Sequence, residues 1–184
     1  IAPSNYLATN PDVQQTLLET KGMSLLQGMT NFLEDMQKGR MSQTDENSFE
    51  VGVNLAITPG QVVYENTLFQ LIQYTPQTPQ VYKTPLLMVP PCINKYYILD
   101  LQPDNSFVGY AVEQGFTVFM ISWRNPQPTD TDGIDKATWA DYLQHGVLQA
   151  IDVVRDISGE EKINALGFCV GGTLLASALA VSRA

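Results

Sequence analysis

The 184-residue chain carries 19 acidic against ten basic side chains, a formal net charge of −9, and 44% hydrophobic residues. Such a length and apolar content suffice for a sizeable core in one domain, while the charge repels nucleic acid and argues against a phosphate-tracking surface. No apolar run reaches the roughly 18 residues of a transmembrane segment, the opening residues lack a signal-peptide pattern, and the two cysteines have no zinc-like spacing. A cytoplasmic protein without metal or other cofactor is expected.

Asn10-Pro11-Asp12 is a helix-start signal: a capping side chain, a proline at the first turn, and an acid near the positive end of the helix dipole. Val13, Leu17 and Leu18 follow on one face. After an interruption at Gly22, Leu25, Leu26, Met29, Phe32, Leu33 and Met36 recur at three- and four-residue spacing, the mark of an amphipathic helix. This stripe suits either packing within its own domain or a face for a partner subunit. Residues 1–44 are thus expected to form an N-terminal helical segment, and residues 45–184 the first part of the core.

From Phe49 the period becomes two. Phe49, Val51, Val53, Leu55 and Ile57 alternate with other residues up to a turn at Thr58-Pro59-Gly60, which predicts a strand. Val62 to Tyr64 and Leu68 to Tyr74 extend this into an antiparallel hairpin region, and prolines at 76, 79 and 85 mark a loop. Short continuous apolar runs then alternate with helical stretches. The runs are Leu86 to Val89, Phe116 to Ile121 and Ile163 to Phe168; the helices fall near 105–114 and 138–157, the second with Tyr142, Leu143, Val147, Ile151 and Val154 on one stripe. Strands buried on both faces have this composition, and helices between them imply parallel crossovers. The fold class is therefore α/β, with a mainly parallel sheet and flanking helices.

The third run leads into Gly167-Phe168-Cys169-Val170-Gly171-Gly172. G-x-C-x-G is the nucleophile-elbow pattern, with cysteine where serine is commoner, and the strained turn between strand and helix demands very small neighbours. The turn also brings the thiol to a helix N-terminus, where unpaired N–H groups favour negative charge, and the thiolate is the reactive form of cysteine. Cys169 is the candidate nucleophile, and the Val170 N–H an oxyanion donor worth about 3 kcal/mol to a tetrahedral intermediate. The competing reading makes Cys169 a core filler, its glycines serving helix–strand packing. Directly after the Leu86 run, "PPCINKYY" stands where α/β-hydrolase folds carry the second oxyanion donor, near Ile93.

"PPCINKYY", "SWRNP" and "GFCVGG", with "PSNYLATNP" near the front, resemble the catalytic domain of polyhydroxyalkanoate synthases, class I in particular. The resemblance runs through nearly the whole chain and implies an α/β-hydrolase-like fold, incomplete in this chain. It further implies an acyltransferase that moves the acyl group of an (R)-3-hydroxyacyl-CoA, 3-hydroxybutyryl-CoA above all, to Cys169. The growing polyester chain is then extended with release of CoA, and Val170 and Ile93 supply the oxyanion N–H groups. Homodimers and attachment to polymer granules are implied as well. A cysteine-dependent thioesterase or esterase on the same scaffold, or a catalytically silent fragment needing a C-terminal complement, are the alternatives.

In this fold the acid and the histidine base follow the nucleophile in chain order. His145 precedes it, within a helix, and is read as solvent-side or packing and not as the base. The base, the acid and the last strands are expected in a C-terminal part of the catalytic domain, with the Ile163 strand flanked on both sides. Arg124 and Lys95 are weighed between CoA phosphates and structural ion pairs. Asp100 and Asp104 are read as caps of the following helix, and Asp130, Asp132 and Asp135 fail the spacing of a calcium loop.

Overall fold

The computed structural model describes residues 2–45 and 47–183, which divide into two units, Ile1–Phe49 and Glu50–Ala184. The first is helical. Asn10 caps α1 (Pro11–Glu19), its side chain accepting from the N–H groups of Asp12 and Val13, with Pro11 and Asp12 in the first turn as the sequence signal requires. Gly22, at φ 86°, redirects the chain into α2 (Met23–Lys38). Neither helix holds a fully buried residue, and Leu25, Met29 and Phe32 line a groove of about 980 Å³ together with Leu7, Val13 and Leu17.

The second unit starts differently from expectation. Residues 50–57 do not form a strand: the Gly52 N–H donates to the Leu55 carbonyl at 2.7 Å, and an isolated bridge joins Val51 to Leu55. Gly52 and Ala56 both take positive φ, which breaks an extended run, and Val51 and Val53 stay exposed, so their alternation has no core to face. Regular structure begins with the hairpin β1 (Gly60–Glu65) and β2 (Phe69–Tyr74), followed by β3 (Leu86–Val89). A small ribbon, β4 (Asp100–Gln102) and β5 (Asn105–Ser106), precedes α3 (Phe107–Glu113) and β6 (Val118–Trp123).

The next helix is composite: α4 (Trp139–Asp141) passes through a π-helical segment, Tyr142–Leu148, into α5 (Gln149–Ser158). Thr138 and Asp141 form a reciprocal capping box at its start, and Gly159 closes its end in the left-handed region. β7 (Asn164–Gly167) and α6 (Val170–Arg183) complete the unit.

The five-stranded sheet has the order β1-β2-β6-β3-β7, antiparallel across β1, β2 and β6, and parallel across β6, β3 and β7. It is an incomplete α/β-hydrolase fold. Alternate residues of the inner strands serve opposite faces. Leu87, Val89, Phe119, Ile121 and Trp123 pack with Leu143, Val147, Ala150, Val154, Leu174 and Ala178 on one side. Met88, Val118 and Met120 pack with Val108, Ala111 and Val112 on the other. β7 lies at the edge, paired with β3 alone among the described residues, and its Asn164 and Ala165 are exposed; the expected flanking on both sides is not present there.

This topology positions the site. From β3 the chain goes to α3 on one face of the sheet, whereas from neighbouring β7 it goes to α6 on the other. The loops leaving the carboxyl ends of these two adjacent strands therefore diverge, which opens the crevice where open α/β sheets bind ligands.

Candidate active site

One wall of that crevice is the elbow between β7 and α6. Cys169 has φ 54°, in the left-handed region that a residue with a Cβ enters at a cost of about 1–3 kcal/mol. Its neighbours explain how the turn closes. A Cβ on Gly171 would lie 2.0 Å from the Val89 carbonyl oxygen, and one on Gly167 would lie 2.5 Å from the Gly172 Cα. Strand, helix and the end of β3 thus meet backbone to backbone, which only glycine permits. The Phe168 N–H donates to the Val89 carbonyl at 3.0 Å, while the N–H groups of Gly171 and Gly172 turn back onto the carbonyls of Phe168 and Cys169.

The thiol of Cys169 is exposed, at the N-terminus of a 14-residue helix. It is not the core filler of the competing reading. Cys92 is the thiol with that character: it is half-buried, packs against the core, and burial pushes its pKa up. Val170 opens α6, and its N–H has no backbone acceptor among the described residues.

The other wall is the loop after β3. Ile93 is 72% exposed, and its N–H also lacks a backbone acceptor among the described residues. Pro90 and Pro91 have no N–H to donate, so the segment is held through its carbonyls. Val89 accepts from Phe168, Pro90 from the buried Trp123 indole at 2.8 Å, Pro91 from the Asn94 N–H at 3.2 Å, and Cys92 from the Asn125 amide at 3.5 Å. Trp123 and Asn125 sit at and beyond the end of β6, so three adjacent parallel strands contribute to one end of the sheet. Sequence reading singled out the "SWRNP" stretch for its arginine and missed these two neighbours; a tryptophan closing a buried strand was the available signal.

Other candidates are placed elsewhere. Arg124 donates to Asp132 and forms an ion pair with Asp130 at 3.1 Å, and these carboxylates push its pKa up. Its guanidinium is thereby committed to a loop clamp. Asp100 does not cap α3. Ser106 does, accepting from the Gly109 N–H, while Asp100, only 2% exposed, accepts from the hydroxyls of Ser106 and Thr58, both at 2.6 Å, and so orients the capping side chain. His145 is exposed in the π-helical segment beside Thr67, Leu68 and Asp132, in a cavity of about 240 Å³ whose lining does not include Cys169. Lys95 precedes the turn Tyr96–Leu99 and is exposed. No group of metal-ligating side chains occurs among the described residues, and no described helix is long and apolar enough to cross a membrane.

Residues 85–183 match the alpha/beta hydrolase fold, and residues 1–111 match the family described as poly-beta-hydroxybutyrate polymerase (PhaC) N-terminus. Among individual proteins, the poly(3-hydroxyalkanoate) polymerase subunit PhaC of Cupriavidus necator is 57% identical over the whole of this chain, which covers 31% of that protein. The poly(3-hydroxyalkanoate) polymerase of Methylorubrum extorquens is 46% identical, and the PhaC subunit of Rhizobium meliloti 42%, again over the whole chain and 30% of each relative. The chain thus spans about 30% of the length of the curated relatives it matches. An α/β-hydrolase sheet, together with these matches through both units, shows that the chain belongs to the PhaC family of polyhydroxyalkanoate polymerases.

Proposed function

We propose that this chain carries the nucleophile and oxyanion donors of an acyltransferase that polymerises (R)-3-hydroxyacyl-CoA, with 3-hydroxybutyryl-CoA as the substrate. The observation that carries the reading is the exposed Cys169 at φ 54°, beside a Val170 N–H that has no backbone acceptor among the described residues, at the start of α6. The Cys169 thiolate attacks the thioester carbonyl, and the N–H groups of Val170 and Ile93 stabilise the oxyanion. Collapse expels CoA as its thiolate and leaves an acyl thioester on Cys169. This exchange is nearly balanced, since one thioester replaces another, so the acyl group stays active for transfer to a polyester hydroxyl.

The hydroxyl requires a general base, which this fold supplies after the nucleophile in chain order, together with its acid. His145, the chain's one histidine, precedes Cys169 and lines a cavity that does not include Cys169. The base and acid therefore belong to sequence that follows the elbow in the whole protein. Homodimerisation and residence in the cytoplasm on polymer granules complete the proposal.

The test is CoA release from (R)-3-hydroxybutyryl-CoA by the full-length protein, followed with a thiol reagent. Cys169→Ala is expected to lower the rate by about four orders of magnitude or more, as loss of a covalent nucleophile does. Wild-type release from that variant would remove Cys169 from the mechanism. Free 3-hydroxybutyrate with no polymer would assign the site to a thioesterase instead.

A further inference from the structure

The loop that presents Ile93 is built without N–H groups at its first two positions, so whatever orients it must reach its carbonyls. Val89 is fixed by the elbow itself and Pro91 by its own turn, through Asn94. Pro90, between them, is held from 33 residues away by the indole of Trp123 at 2.8 Å, a buried hydrogen bond. Trp123 is 4% exposed, and its ring is hemmed in on several sides. Phe69 meets it edge-on with centroids 6.0 Å apart, and Tyr142 lies tilted at 5.3 Å. Gly146 approaches so closely that a Cβ there would stand 2.8 Å from the outer ring carbons. Gly146 lies inside the π-helical segment, so the helix facing the indole is both widened and stripped of a side chain at that point. A filler of the core asks for volume alone. Here a neighbouring helix is shaped around the ring, and its one polar atom is aimed at the carbonyl that begins the loop.

We propose that Trp123 is a positioning residue for the second oxyanion donor: its indole N–H fixes the Pro90 carbonyl and, through the stiff Pro90-Pro91 unit, the turn that carries the Ile93 N–H. The inference rests on the acyl-transfer reading of Cys169. Misplacing a catalytic donor by an ångström lowers the rate by roughly 100-fold or less, a smaller effect than deleting the nucleophile.

The experiment uses the full-length protein with Trp123→Phe and, to keep the bicyclic shape, with 3-benzothienylalanine installed at position 123. Both lack the N–H; the second preserves the ring volume and so folds where the first fails to. With (R)-3-hydroxybutyryl-CoA, kcat is expected to fall roughly 10- to 100-fold with KM nearly unchanged. The rate of Cys169 alkylation by iodoacetamide is expected to stay at the wild-type value, because displacement at carbon creates no oxyanion and needs only the thiol. Wild-type kcat in the benzothienyl protein would make Trp123 a core filler and overturn the proposal. So would a parallel loss of alkylation and acyl transfer, which reports a disturbed elbow. Cys169→Ala, assayed alongside, separates the two readings. Retained CoA release there sinks the reading of the site, whereas an inert Cys169→Ala with a wild-type benzothienyl protein sinks only the role of Trp123.

Discussion

At Cys169 the backbone is held where side chains are rarely tolerated, and the contacts that hold it are specific enough to rank substitutions. Gly171 and Gly172 are adjacent and look equivalent in the sequence, but a Cβ on Gly171 would strike the Val89 carbonyl at 2.0 Å, whereas one on Gly172 would come no nearer than 3.3 Å to the Gly167 carbonyl oxygen. Gly171→Ala is therefore expected to cost about 3 kcal/mol or more, since the obstacle is backbone of an inner strand and cannot step aside. Gly172→Ala is expected to stay within about 1 kcal/mol, because a better helix former offsets the tighter contact. Chemical denaturation of the two variants measures the contrast, and equal losses would contradict this account of the elbow. The sequence pattern called for small residues at all three glycines; only the packing ranks them.

At the scale of elements, the composite helix over 139–158 shows how local signals and tertiary demands divide the work. Its start is local: Thr138 accepts from the Asp141 N–H, and the Asp141 carboxylate accepts from the Thr138 hydroxyl at 2.7 Å and from the Thr138 N–H at 2.8 Å. The Thr138 side-chain bond, then its backbone bond, and the field of His145 hold the Asp141 carboxyl below its ordinary 3.8. A carboxylate with a depressed folded pKa contributes stability above its unfolded pKa and loses it as pH falls through the folded value. Thr138→Ala is expected to destabilise by about 1 kcal/mol at neutral pH. The difference from wild type should shrink once the pH drops below 3.8, where Asp141 takes up its proton. Denaturation curves at neutral and acid pH test this, and a pH-independent difference would refute it. The π-helical turn further along has no local signature. It answers to an indole on β6, so the stripe of Tyr142, Leu143, Val147, Ile151 and Val154 foretold a helix without foretelling its widening.

At the scale of the whole chain, β3 is the strand about which the α/β unit reverses, and the crevice beside it follows from that topology. β7 is an edge strand among the described residues, while β6 is paired on both sides. In the 184-residue polypeptide the amides of β7 are expected to exchange with solvent roughly tenfold faster, as a set, than those of β6, because an edge opens by local fluctuation. Equal protection would mean that the edge is covered. What the residues determined on their own were the features written in short spacings: the helical pair, the apolar strand runs, the α/β alternation, the elbow with Cys169 and Val170, and the loop after β3 with Ile93, as candidate parts of the site. Periods of 2 and 3.6 and the demand for glycine at a sharp turn are local properties, legible without a partner. Tertiary structure decided the rest. It folded residues 50–57 into a loop although their spacing alternates, with the Ala56 N–H on the Asp100 carbonyl at 3.0 Å, set the Ile163 run at an edge, and joined Trp123 to Pro90. Each of these outcomes depends on which distant residues meet, and no neighbourhood along the chain encodes that.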